Sequence, residues 1–249
     1  MAPRVLILHA TGTNRDHDAA AAFQLAGAEP EIVPLQELRE RRRKWQDYQI
    51  LVVPGGFSYA DALGAGKLFA LDLQSYFVDE VKAFVQSGRP VIGICNGFQA
   101  LVKSGLLPAL DGAEATLTFN ASGHFECRWV TLRPVSRVCL WTRDLTDEIY
   151  CPVAHGEGRF LVASDSALSQ LKQRDQVALT YVGNGYPDNP NGSPGDVAGV
   201  CNPQGNVLGL MPHPEDHIQP FQHPRWTRGE RGKLGLKLLE AGVRHAAAM

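Results

Sequence analysis

The stretch Val91-Ile92-Gly93-Ile94-Cys95-Asn96-Gly97 carries an apolar run into a cysteine that has a glycine two places to either side, and a helical pattern follows at once. In the arrangement glycine-x-nucleophile-x-glycine, the glycines remove side chains that would collide in a sharp strand-to-helix turn. The central residue is then held strained at the carboxyl edge of a sheet. The stretch therefore predicts a nucleophile elbow with sulfur in place of oxygen, and places Cys95 at a helix N-terminus, where partial positive charge and unpaired N–H groups favour a thiolate. The alternative is a buried cysteine between two turn glycines, because free cysteine is among the most buried residue types. The stretch alone leaves both open.

Outward from the elbow, β-branched runs alternate with amphipathic segments. Val5 to His9 precedes Asp16 to Ala26, Gln49 to Val53 precedes Leu71 to Gln86, and Val91 to Ile94 precedes Phe98 to Ser104. Such alternation predicts an α/β fold with a doubly wound, mostly parallel sheet flanked by helices. The segment from Leu71 to Gln86 reads as one long helix, with Leu73, Phe77, Val81, Phe84 and Val85 on one stripe. Ligands of doubly wound sheets bind beyond the carboxyl ends of the strands, so Pro54-Gly55-Gly56 and the elbow should face one crevice. The second half is richer in strands and turns: Cys127 to Pro134, Val138 to Trp141, Ile149 to Ala154, Val177 to Tyr181, Val197 to Cys201 and Val207 to Met211. Asn184 to Gly195 reads as a surface loop, and Gly232 to Ala247 as an amphipathic helix that covers the sheet. No linker forces a split, so residues 1–249 are expected to form a single domain.

Bulk properties narrow the function classes. A formal net charge of −2, with 44% hydrophobic and 20% charged residues, gives no electrostatic footprint for nucleic acid or an anionic membrane. The N-terminal run Val5 to His9 is too short for a signal-peptide core or a membrane span. The five cysteines are scattered, without a C-x-x-C pair, which argues against a disulfide framework or a structural zinc site. A reducing cytoplasm is the expected location.

A cysteine nucleophile needs a base, and Met211-Pro212-His213-Pro214-Glu215 offers one directly after an apolar run. Pro214 disfavours the α conformation at His213. In an extended segment, residues two apart point the same way, so Glu215 can orient the imidazole while its other nitrogen faces the thiol. A lone structural histidine is the competing reading. An oxyanion hole is expected from the N–H of Asn96 and from Pro54-Gly55-Gly56-Phe57, where paired glycines admit a close backbone approach. Gly64-Ala65-Gly66-Lys67 lacks the Ser/Thr and the spacing of a P-loop. His213 and His217 are four apart, but Pro214 lies between them and the glutamate is misplaced for a zinc motif. Neither a nucleotide nor a metal site is expected.

Taken together, Gly93-Ile94-Cys95-Asn96-Gly97-Phe98-Gln99, Pro212-His213-Pro214-Glu215 and Pro54-Gly55-Gly56-Phe57-Ser58-Tyr59 resemble the class I, triad-type glutamine amidotransferases, whose fold is flavodoxin-like. Gly12-Thr13-Asn14, Asn120 to Cys127 and Ala154-His155-Gly156-Glu157-Gly158-Arg159 narrow the resemblance to the glutaminase subunits of phosphoribosylformylglycinamidine synthase. The resemblance implies hydrolysis of glutamine, with Cys95 as nucleophile, His213 as acid and base and Glu215 as its orienter. It implies backbone N–H groups of Gly56 or Phe57 and of Asn96 at the oxyanion, and glutamine contacts at Gln99, Asn120 and Phe125. It also implies no cofactor on this chain, and ammonia passed to a large synthetase subunit that carries ATP and magnesium, with a small accessory subunit. Asp216-His217 departs from the family, which commonly has a basic residue there, and the tail Gln219 to Pro224 is unusual. The competing functions are another amidotransferase, a γ-glutamyl hydrolase, or a binding protein that keeps the fold.

Overall fold

A computed structural model describes residues 1–109 and 114–249. The first half alternates as its pattern requires: β1 (Arg4–His9), α1 (Asp16–Leu25), β2 (Glu29–Pro34), α2 (Leu35–Arg39), β3 (Ile50–Val53), α3 (Lys67–Tyr76), α4 (Val78–Gln86), β4 (Val91–Ile94) and α5 (Asn96–Lys103). The second half adds β5 (Ala115–Thr118), β6 (Glu126–Pro134), β7 (Ile149–His155), β8 (Arg159–Val162), α6 (Asp165–Gln173), β9 (Val177–Tyr181), β10 (Val197–Cys201), β11 (Val207–Leu210) and α7 (Leu236–Ala247).

Nine strands form one sheet in the order β2-β1-β3-β4-β11-β10-β9-β6-β7, and β5 pairs with β8 separately. From β2 to β11 the pairing is parallel, and from β11 through β10, β9 and β6 to β7 it is antiparallel. Parallel strands are buried on both faces and read as continuous apolar runs. Ile50 to Val53, Val91 to Ile94 and Val207 to Leu210 are buried throughout. The order matters for chemistry. β11 comes more than a hundred residues after β4 yet lies beside it, in register from Val207 with Val91 to Leu210 with Ile94. One contiguous apolar core runs from Val5 to Ala246.

Two expectations need correction. The segment from Leu71 to Gln86 is two helices, broken at Phe77, whose φ of −132° and ψ of 19° are not helical. Ser75-Tyr76-Phe77-Val78 is a run of weak helix formers, and Asp79 and Glu80 restart a helix as acidic residues in a first turn do. The break lets buried Phe77 reach Trp45, with ring centroids 5.5 Å apart. Val138 to Trp141 is not a strand but a tight turn, because the Ser136 hydroxyl accepts from the Cys139 N–H at 3.0 Å and the Arg143 N–H reaches the Cys139 carbonyl at 2.8 Å. Side-chain hydroxyls compete with ladder pairing in this way. β2, α2, β5, β8 and α6 are elements for which the sequence reading names no segment, and β2 is an edge strand with one buried residue.

The elbow glycines are required by packing. A Cβ on Gly97 would stand 1.8 Å from the Val53 carbonyl oxygen, and one on Gly93 would stand 2.5 Å from Leu101 Cδ1 and 2.8 Å from the Gly97 oxygen. We expect Gly97→Ala to destabilise the fold by at least the ~1–3 kcal/mol of ordinary overpacking, since backbone cannot yield as a side chain does. At roughly 2–4 °C per kcal/mol for a chain of this size, thermal unfolding followed by circular dichroism measures the loss. An unchanged midpoint would refute the packing account.

Candidate active site

β4 ends at Ile94, and Cys95 takes φ 49° and ψ −105° before α5 begins at Asn96. Positive φ in a residue with a side chain is costly and persists only where the surroundings enforce it. Here the Cys95 N–H donates to the Leu210 carbonyl at 2.8 Å, and the Gln99 N–H closes the first helical turn on the Cys95 carbonyl at 3.0 Å. The thiol, in a residue only 6% exposed, points toward the Ala154 carbonyl, 3.7 Å away. Strand, strained residue and helix thus form the expected elbow.

β11 ends beside β4, and the next residues carry the base. His213 is buried, and its N–H donates to the Pro152 carbonyl at 2.9 Å. Pro214 keeps His213 out of the helical region, at φ −106° and ψ 84°, but the chain then closes a 3-10 turn over Pro214–Asp216. Glu215 therefore returns to the imidazole through a turn, not through the extended alternation expected from the sequence. The result is the same pair: the Nδ1–H of His213 donates to Glu215 Oε1 at 2.7 Å. The thiol and the imidazole meet over Gly55, where a Cβ would lie 2.8 Å from His213 Cε1 and 3.5 Å from Cys95 Cβ. Burial alone would push the imidazolium down, but the charges of Glu215 and Cys95 outweigh it and hold the His213 pKa well above its ordinary value.

The oxyanion candidates converge on the same edge. The N–H of Asn96 is in the first turn of α5, where donors have no intrahelical partner. Gly56 and Phe57 line cavities that Cys95 also lines. Gly56 has φ 123°, and a Cβ there would stand 2.5 Å from Asn14 Oδ1. Thr13 forms an antiparallel bridge to Gly56, and Arg15, next in this segment, pairs with Asp216. The residues from Thr13 to Arg15 thus touch both the glycine loop and the turn that carries the base. Burial, with the nearby Glu215 charge, pushes the Asp216 carboxyl up to about 6 against the pull of His213 and Arg15. Asp216 thus has an arginine partner.

The glutamine-contact candidates separate. Gln99 and Phe125 line a cavity of about 160 Å³ together with Cys95, His155 and Glu157. Gln99 accepts from Asn96 Nδ2 at 3.2 Å and donates to the Glu157 carbonyl at 2.7 Å. Asn120 is not among the residues lining this cavity. Its Nδ2 donates to the His124 and His155 carbonyls, both at 2.8 Å, and its Oδ1 accepts from the Gly158 N–H and His155 Nδ1, both at 3.0 Å. Its hydrogen-bonding capacity is spent on holding His155, which corrects the expectation of a direct glutamine contact. Sequence reasoning passed over Asp61, Arg15 and the side chains of His155 and Glu157. Only the last two stood in a quoted motif.

The rejected motifs have other uses. A Cβ on Gly66 would stand 2.8 Å from the Ala100 N of α5, so the glycines around Lys67 allow close helix packing. His217 turns its Nδ1 to the Tyr150 carbonyl and packs with Trp129 and His223, away from His213. The five cysteines are free thiols, and Cys127 alone among them is exposed. No helix among the described residues is long and apolar enough to cross a membrane.

The model of the CobB/CobQ-like glutamine amidotransferase domain matches residues 2–245. The phosphoribosylformylglycinamidine synthase subunit PurQ of Treponema denticola is 55% identical over 98% of this chain and 99% of its own length. That of Dehalococcoides mccartyi is 42% identical over 98% and 97%. Among solved structures, PurLQS from Thermotoga maritima superposes with a TM-score of 0.79 at 33% identity, covering 98% of this chain and 99% of that one.

Glu215→Gln should lower the pKa of His213, because it removes the largest cause that raises it. A folded-state pKa raised by a partner contributes stability that is complete below the unfolded value near ~6.5 and is lost as pH climbs through the folded one. The stability gap between parent and variant should therefore be widest below about pH 6.5 and narrow as pH rises. Ring-proton NMR of His213 and melting curves against pH measure both, and a gap that widens with pH would contradict the assignment.

Proposed function

The chain belongs to the CobB/CobQ-like glutamine amidotransferase family, and we propose that it is a glutaminase of the PurQ type, which hydrolyses glutamine to glutamate and ammonia. The ammonia goes to a separate ATP-dependent synthetase that converts formylglycinamide ribonucleotide to formylglycinamidine ribonucleotide in purine synthesis. The observation that carries this reading is the strained Cys95 at the end of β4, beside a buried His213–Glu215 pair at the end of the adjacent strand.

In this reading the Cys95 sulfur attacks the side-chain amide carbon of glutamine, and the carbonyl oxygen takes the negative charge. The N–H of Asn96, with that of Gly56 or Phe57, stabilises the oxyanion; one such donor is typically worth ~10²–10³ in rate. His213 protonates the departing nitrogen, which leaves as ammonia, and a γ-glutamyl thioester remains. His213 then takes a proton from water, whose oxygen attacks the thioester and releases glutamate and the thiol. Glu215 holds the imidazole in the tautomer that points Nε2 to the sulfur.

The chain itself needs no cofactor in this scheme. The likeness to PurLQS from Thermotoga maritima supports a complex with a large synthetase subunit and a small accessory subunit; in this reading the synthetase would hold ATP and magnesium, and the complex would work in the cytoplasm. Surface chemistry supports a partner at the mouth. Phe57, Phe119 and Phe125 line the cavity beside Cys95 and are 48%, 70% and 54% exposed, and clustered exposed apolar residues mark interaction sites.

Cys95→Ala should reduce glutamine-dependent ammonia release by at least ~10³-fold, the scale on which triad members matter. Treatment of the assembled complex with a glutamine-mimicking electrophile should add one label at Cys95, read by mass spectrometry. A label on another residue, or none, would overturn the nucleophile. Turnover should rise when the chain joins a synthetase loaded with its substrate, and equal turnover alone and in complex would remove the coupling.

A further inference from the structure

Cys95 stands between two cavities. Gln99 and Phe125 line one, of about 160 Å³, which is the glutamine side in the glutaminase reading. The other, of about 340 Å³, is lined by Asn14, Arg15, His213 and Asp216 as well as by Cys95. Arg15 and Asp216 line only the second. They stand beside the thiol and the base but outside the glutamine side.

Arg15 links segments that are far apart in the chain. Its backbone lies against the glycine loop: Thr13 bridges to Gly56, and a Cβ on Gly56 would stand 2.7 Å from the Asn14 N and 3.4 Å from the Arg15 N. Its guanidinium uses two different nitrogens. Nη1 lies 3.3 Å from Asp18 Oδ2 on α1, and Nη2 donates to Asp216 Oδ2 in the turn after β11. A planar fork held in this way fixes direction as well as charge. On the far side of the grip, one polar atom each of His213, Glu215 and Asp216 all lie within 4.8 Å of one another. Glu215 orients His213 through Oε1, while its Oε2 is buried and has no partner among the described residues. The carboxylate that aims the base is thus unanchored at its second oxygen, and the next residue supplies an anchor through Arg15.

We propose that Arg15 is a positioning residue for the glutaminase reaction: by gripping Asp216 while its backbone abuts Gly56, it sets where the His213 ring stands relative to the Cys95 sulfur and the glycine loop. The proposal rests on the glutaminase reading and deepens it. Because Arg15 is outside the glutamine side, its loss leaves the bound substrate's contacts in place. Proton transfer to the departing nitrogen, by contrast, needs His213 at the right distance. A misplacement of about 1 Å can cost ~10²-fold in rate, so the loss falls on kcat and spares KM. The pair is partly exposed and adds little to stability, which separates positioning from a merely structural role.

The test uses the complex with its synthetase. Steady-state ammonia release from glutamine is measured for the parent, Arg15→Ala, Arg15→Lys, Asp216→Asn and the double variant Arg15→Ala with Asp216→Asn, and each is melted alongside. Arg15→Ala and Asp216→Asn should each lower kcat by about 10- to 100-fold, with KM within about twofold and the melting midpoint within roughly 2–4 °C of the parent. The double variant should be within about twofold of the slower single one, because both substitutions remove the same contact. Arg15→Lys keeps the charge but loses the fork, and should fall between parent and Arg15→Ala. Losses that multiply in the double variant, a change confined to KM, or kcat within about twofold of the parent in both single variants overturns the proposal. If Arg15→Ala fails to fold, Asp216→Asn and Arg15→Lys decide by the same kcat and KM criteria. A parent complex that releases no ammonia sinks the glutaminase reading and the proposal with it, whereas an active parent with unaffected variants sinks the proposal alone.

Discussion

Everything at this site depends on how closely α5 packs on β3. The Gly97 Cα sits so near the Val53 carbonyl that no side chain fits between them, and this closeness forces the abrupt turn in which Cys95 takes its positive φ. The strain is held in place by hydrogen bonds from both sides of the residue, one to β11 and one within α5. β3 also delivers the Gly55-Gly56 loop, and β11 delivers His213. Three adjacent parallel strands therefore end in three chemically different groups, and the sheet supplies the alignment that loops alone would not hold. This is the general advantage of building a site on rigid elements.

Much of this was legible in the residues, and the reasons are physical. Parallel strands buried on both faces must be apolar throughout, so Val91 to Ile94 and Val207 to Leu210 declared themselves. Glycine is demanded by sterics at Gly93 and Gly97, so the elbow was visible too. What escaped depends on tertiary context. β2 buries a single residue and carries no pattern. The break at Phe77 seats its ring against Trp45, a contact remote in sequence. Asn120 belongs to a motif that invites a ligand role, yet four hydrogen bonds within the protein exhaust it. Asp61 carried no signal at all, because its meaning comes from a cavity assembled by distant segments.

Asp216 places a second carboxylate beside Glu215 in the turn that carries His213, and burial together with the Glu215 charge raises its pKa. Arg15 approaches from the start of α1 and offsets the charge. The same segment lies against Gly56 through the Thr13 bridge, so neutralising the turn also fastens it to the loop opposite. A partly exposed pair of this kind is weak evidence for stability, but it fixes the relative placement of two loops that share no covalent neighbour.

The insertion of β11 between β4 and β10 also sets a schedule. Cys95 and its elbow emerge from the ribosome with the first hundred residues, while the strand that brings His213 lies near the other end of the chain. Until β11 enters the middle of the sheet, the thiol has no base and the Cys95 N–H has no Leu210 carbonyl to hold it. The order of strands thus ties completion of the site to a strand that follows the elbow by more than a hundred residues.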